Sequence, residues 1–169
     1  MKRNWYKFRV KYSKEMDDGK KKKVSEEYLV DAESFTETEK RAHKAATDLI
    51  GTRDFDITAI SREPVTDIIK GTGQDDNHWY KAVVALVTED EETGQKKFSP
   101  QVIYVNAEDT TEADELLRDH MEDSQVDWEP TNEQEQSRTC SDFAERGGGR
   151  RSQIKSIAET KVLGVLEYK

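Results

Sequence analysis

A chain of 169 residues with 33% hydrophobic and 37% charged residues suits a single domain with a thin core, its two halves sharing that core rather than folding apart. Its one cysteine, Cys140, excludes an intramolecular disulfide and fits a reducing compartment. No apolar run nears the roughly 18 residues of a membrane span and Met1-Lys2-Arg3-Asn4-Trp5-Tyr6 lacks a signal peptide's apolar stretch, so the expectation is a cytoplasmic protein with no membrane partner.

The formal net charge of -9 is unevenly spread: residues 1–23 hold ten Lys/Arg against three acids, whereas Val105 to Glu145 hold fourteen acids against Arg118 and Arg138. The first extended segment opens within the basic part, at Trp5-Tyr6-Lys7. Strand alternation sends Tyr6, Phe8, Val10 and Tyr12 to one face, the expected core, and Trp5, Lys7, Arg9 and Lys11 to the other. A sheet face of cations and aromatics can hold single-stranded nucleic acid, cations tracking phosphates and rings stacking on bases. The competing expectation is a solvated face whose cations pair with acids on the next strand, with Glu26 as the candidate partner.

Asp17-Asp18-Gly19 marks a hairpin turn. Lys20, Lys21, Lys22 and Lys23 follow as a compact basic run, suited either to phosphate contact without sequence readout or to a solvated loop edge. Tyr28-Leu29-Val30-Asp31-Ala32 continues as the second strand. Thr36-Glu37-Thr38-Glu39 predicts a helix start with a threonine N-cap, and Ala42, Ala45, Ala46, Leu49 and Ile50 recur at helical spacing. Ile57-Thr58-Ala59-Ile60 reads as a third strand.

The order then recurs. Trp79-Tyr80-Lys81 repeats Trp5-Tyr6-Lys7 at an offset of 74 residues, and Glu92-Thr93-Gly94 with Lys96-Lys97 repeats the turn and its lysines. Ile103-Tyr104-Val105-Asn106-Ala107 repeats the second strand at an offset of 75, one extra residue in the second turn accounting for the change. A helix starts at Thr111-Glu112-Ala113-Asp114, and Ile154-Lys155-Ser156-Ile157 closes the copy. Each copy is a β-β-α-β unit. The expected fold is α+β, an internal duplication with antiparallel sheet or sheets of six strands and two helices packed on one face. Repeat one covers 1–70, a polar connector 71–78, and repeat two 79–169 with an insertion at about 125–152.

In the second copy Trp79 and Lys81 remain, but Val83, Ala85 and Val87 replace the other cations. The insertion contains Arg146-Gly147-Gly148-Gly149-Arg150-Arg151. Arg146, Arg150 and Arg151 beside exposed backbone N–H groups form a weak anion-binding candidate, but the Walker spacing is absent and a triple glycine is first a flexible linker. His43, His78 and His120 share no spacing, and Cys140 has no local partner, so neither catalytic nor metal motif emerges. No cofactor is expected.

The Trp-Tyr-Lys strands, Tyr28-Leu29-Val30-Asp31-Ala32 and Ser34-Phe35-Thr36-Glu37 resemble a family of short proteins, a domain of unknown function from Bacteroidetes, their phages and mobile elements. The resemblance runs to about Met121 and resumes at Ile154, with Gln125 to Arg151 as the departure. It implies a phage or mobile-element setting, hence the host cytoplasm, and carries no activity. The leading expectation is a non-enzymatic binding protein for single-stranded nucleic acid, using Trp5, Lys7, Arg9, Lys11, Lys20 to Lys23, Trp79 and Lys81. The alternatives are an acidic module that docks on a basic host protein, such as a defence protein, and, more weakly, a nucleotide-binding or sequestering protein using the arginine-glycine loop.

Overall fold

The computed structural model describes residues 4–71, 77–123 and 152–168. Its elements are β1 (Asn4–Glu15), β2 (Lys21–Ala32), α1 (Phe35–Ile50), β3 (Phe55–Glu63), β4 (Val65–Ile69), β5 (His78–Glu89), β6 (Lys96–Ala107), α2 (Thr110–Asp123), β7 (Ser152–Glu159) and β8 (Val162–Leu166). They make an α+β fold with two four-stranded, mainly antiparallel sheets, ordered β3-β1-β2-β8 and β4-β6-β5-β7. The chain divides into two compact units, Met1–Pro64 with Lys161–Lys169, and Val65–Thr160.

Each unit grows from a long hairpin. The turns need a residue at positive φ, which Gly19 (φ 75) and Gly94 (φ 65) supply without a Cβ clash. The first turn closes from Met16 to Lys20 and the second from Asp90 to Gln95, one residue longer, as the change in offset requires. The helices start two residues or so before the threonines expected as caps. Ser34 is the N-cap of α1 and accepts from the Glu37 N–H, while the Glu37 carboxylate accepts from the Glu33 N–H at 2.8 Å. In α2 Asp109 accepts from the Glu112 N–H at 2.9 Å, and Glu112 accepts from the Glu108 N–H at 2.6 Å. Both are variants of the capping box in which the glutamate's back bond reaches the N–H of the residue before the cap, and the threonines lie inside the first turn.

In the first unit α1 lays Ala42, Ala45 and Ala46 on the sheet face carrying Tyr6, Phe8, Val10, Tyr28 and Val30. In the second, α2 lays Ala113, Leu117 and Met121 on the face carrying Tyr80, Ala82, Val84, Ile103 and Val105. Each sheet thus has its own helix, where the sequence suggests two helices on one shared face. At matched offsets Phe8 and Ala42 become Ala82 and Leu117: the bulk moves from sheet to helix while both layers stay close-packed.

Eight strands, not six, appear among the described residues. The two unexpected ones, β4 and β8, are five residues each and pair in parallel, β4 with β6 and β8 with β2. After β4, Gly71 passes so close to β6 that an added Cβ would stand 2.2 Å from the Asn106 carbonyl oxygen. That glycine belongs to a strand junction, and close backbone approach explains it.

Candidate nucleic-acid interface

β1 alternates as its sequence implies, with Trp5, Lys7, Arg9 and Lys11 on the face opposite α1. Their neighbours on β2 are Asp31, Leu29, Glu27 and Ser25. Arg9 donates twice to Glu27 Oε1, from Nε at 3.0 Å and Nη2 at 2.5 Å, and Lys7 Nζ lies 3.8 Å from Glu27 Oε2. The Glu27 side chain is only 10% exposed, so this is a charge-assisted pair in a half-dry setting. The acid that neutralises the row is therefore Glu27 rather than Glu26. Register decides it, because a one-residue step along a strand changes face.

Glu26 points to the helix side, where the hydroxyls of Tyr12 and Tyr28 donate to its two carboxylate oxygens, each at 2.8 Å. Burial first, and then the hydrogen bond to this carboxylate, raises the pKa of both phenols, Tyr28 the more strongly. Neither tyrosine was singled out for this by sequence, since Tyr12 read simply as core and Tyr28 as the start of a strand segment.

Trp5 is half-buried and stands at the end of β1 away from the turn, beside Asp31 and Glu63. Six residues separate it from Lys11, about 20 Å along a strand. Trp79 is buried, its carbonyl accepting from the Thr160 N–H and Oγ1 at 2.8 and 2.9 Å. Lys81 lies in the second unit, half-buried between Tyr104 and Ala158 on the flanking strands. Trp5, Lys7, Arg9 and Lys11 thus share one face of the first sheet, and Trp79 and Lys81 belong to the second sheet. Arg146, Arg150 and Arg151 lie outside the described residues.

A different subset does come together. Lys21, Lys22 and Lys23 are strand residues of β2, not a loop edge, and register sets them opposite Glu15, Lys14 and Ser13. Lys20 pairs with Asp18 at 3.7 Å. Lys11, Lys14, Lys21, Lys22 and Lys23 are exposed, and none has a carboxylate within 4.0 Å among the described residues. Lys14, which sequence reasoning passed over, sits directly across from Lys22. The available signal was its even position on β1, which puts a cation on the otherwise apolar face once the core ends.

Elsewhere a groove of about 550 Å³ runs between α1 and β3, lined by Phe35, Glu39, His43, Phe55, Asp56 and Ile57 among others. His120 Nε2 lies 2.9 Å from Asp67 Oδ2, joining α2 to β4, and His78 Nδ1 lies 3.4 Å from Glu159 Oε1. Among the described residues no group of three or more His, Cys, Asp or Glu is arranged to hold a metal ion, and no helix is long and apolar enough to cross a membrane.

A buried acid closes the first unit. Asp31, 2% exposed, accepts from the Tyr168 N–H at 2.8 Å and from Arg41 Nη1 at 3.2 Å, and Arg41 lies over the Tyr168 ring, 5.1 Å from its centroid. This clamp holds the end of β8 against β2 and α1. An acid inside the apolar run Tyr28–Ala32 was its only trace in the sequence.

No curated protein and no solved structure matches the chain. One family model does, over residues 4–138. The match enters the stretch that the sequence resemblance set apart, so it extends further past α2 than expected, and it ends before β7 and β8. Covering both hairpins and both helices, it shows that the chain belongs to the family described as domain of unknown function DUF4494.

Proposed function

We propose that this protein is a non-enzymatic nucleic-acid-binding protein, contacting phosphates through the free end of its first hairpin. The observation that carries this is the cluster Lys11, Lys14, Lys21, Lys22 and Lys23, exposed and without carboxylate partners among the described residues. Lys14 and Lys22 face each other across two strands, an arrangement that lowers the hairpin's own stability. An anionic partner reverses that cost.

The overall charge of -9 opposes general adhesion to polyanions, so the contact is local. Trp5 stands about 20 Å along the strand from Lys11 and Trp79 is buried, so base stacking by them has no support; single strands and duplexes are both admitted as ligands at this level. The family resemblance suggests a phage or mobile element as the setting and the host cytoplasm as the location. The shared strand arrangement of the two sheets favours an origin by internal duplication.

Fluorescence anisotropy with labelled oligonucleotides tests the function. Binding is expected to weaken steeply with salt, with a log–log slope of about −3.5 to −4.5 if all five lysines meet phosphates. Reversing Lys14, Lys22 and Lys23 to Glu abolishes it. Absence of binding at low salt would remove the proposal. An acidic docking module is the second reading, favoured by α2, where Glu115, Asp119 and Glu122 are exposed and Arg118 is bound to Asp114 at 2.5 Å. It predicts no oligonucleotide binding, and capture of a basic protein that is lost when those three acids become Lys.

A further inference from the structure

We propose that the lysine-bearing end of the β1–β2 hairpin is an arm that enters the major groove of double-stranded DNA, a step that rests on the nucleic-acid function proposed above. The hairpin outruns its sheet. β3 pairs with β1 only as far as Tyr12, and β8 pairs with β2 only from Glu27. Beyond those points the hairpin has no neighbouring strand among the described residues, and Ser13 to Lys23 are all exposed.

The cations occupy both faces of this ribbon. Lys14 and Lys22 share one, and Lys11, Lys21 and Lys23 the other. A ribbon lying flat on a polyanion needs cations on one face only; a ribbon seated in a groove meets a phosphate wall on each side. The acids Asp17 and Asp18 lie in the turn at the tip, which in a groove points away from the phosphates and toward base-edge amino donors, while Glu15, opposite Lys21, shares the face of Lys11, Lys21 and Lys23.

The dimensions agree. Two strands about 4.8 Å apart, with their side chains, fit a major groove about 12 Å wide and about 8.5 Å deep, which admits a two-stranded ribbon. From Tyr12 to the turn the arm reaches at least about 10 Å. The deep, narrow major groove of A-form RNA excludes such a ribbon, and a single strand has no opposed walls.

The second hairpin supplies a contrast within the same chain. It too extends past its flanking strand, whose pairing ends at Leu86, and it keeps an acid opposite a lysine, Glu89 with Lys96 as Glu15 with Lys21; but Thr88 and Phe98 stand where the first hairpin has Lys14 and Lys23, and Asp90, Glu91 and Glu92 crowd its turn. The same scaffold thus carries an arm of opposite character, so length alone does not produce the two-faced lysine pattern.

The test compares a labelled DNA duplex, its single strand and the matching RNA duplex at about 50 and about 200 mM salt, using the wild-type chain, K14E/K22E and K21E/K23E. Far-UV circular dichroism verifies folding, and the Ala counterparts replace any pair that does not fold. DNA duplex is expected to bind at least tenfold tighter than the other two. Each double variant is expected to lose roughly tenfold or more at low salt, because each removes contacts to one wall. Methyl green, a major-groove ligand, is expected to compete, and netropsin, a minor-groove ligand, not to.

A single strand that binds as tightly as the duplex, one lysine pair that proves silent, or displacement by netropsin overturns the groove assignment and leaves the nucleic-acid function standing. Failure to bind any of the three nucleic acids removes both.

Discussion

Arg9 and Glu27 face each other on β1 and β2, and the matched pair in the second unit is Val83 and Val102. The same cross-strand position is thus solved once with charge and once with apolar packing. Arg9 is about half exposed but the Glu27 carboxylate is mostly buried, so removing Arg9 strips that carboxylate of its nearest partner. Arg9→Val alone is expected to cost about 1–3 kcal/mol, and Arg9→Val with Glu27→Val to recover most of it; urea denaturation measures both. A drop in nucleic-acid affinity with unchanged stability would instead mark Arg9 as a contact residue. The Tyr12–Glu26–Tyr28 group gives a pH signature. The folded Tyr28 phenol is held above its ordinary value of 10.0, so its contribution is fully present below that value. It is lost as pH rises, because the unfolded chain releases the proton first. Above about pH 10 stability should fall, and Tyr28→Phe should flatten the slope by up to about 1.4 kcal/mol per pH unit.

Among the elements, hairpins and helices were the most legible, because their signals are local: Gly19 and Gly94 at the turns, alternation along β1, and alanines at helical spacing on α1. The exact caps were missed by about two residues because Ser34 and Asp109 offer the same chemistry as the nearby threonines. Strands β4 and β8 were not legible. Val65–Ile69 and Val162–Leu166 pair in parallel with strands far along the chain, and no turn motif announces such a pairing. The lysines were visible as residues, but their grouping depended on register, which separated Trp5, Lys7 and Arg9 from Lys14 and Lys22. The exchange of bulk between layers is testable. Phe8→Ala opens a cavity at about 3–5 kcal/mol, and Ala42→Leu overpacks at about 1–3 kcal/mol. Combined as in the second unit, where Ala82 meets Leu117 in one core, they should cost less than their sum by at least about 1 kcal/mol.

For the whole molecule, the first unit is assembled from two ends of the chain, Met1–Pro64 and Lys161–Lys169, with the second unit between them. β8 covers the edge of β2, and the Asp31, Arg41 and Tyr168 clamp fixes it there. Ending the chain after Thr160 should therefore unprotect the amides of Tyr28 to Ala32 in hydrogen exchange while those of β5 and β6 keep their protection. Equal loss across both sheets would show instead that the units unfold as one.

This chain path has a bearing on biosynthesis. As the polypeptide leaves the ribosome, the first hairpin emerges early, but its sheet cannot be completed until Val162–Leu166 has been made. The usual order, in which the N-terminal part folds first, is reversed for completion: Val65–Thr160 is contiguous and can close while the apolar edge of β2 is still waiting. During that interval Leu29 and Val30, fully buried at the end, lie along an uncovered strand edge of the kind that recruits other chains. Translation speed over the stretch before β7 thus becomes a determinant of yield.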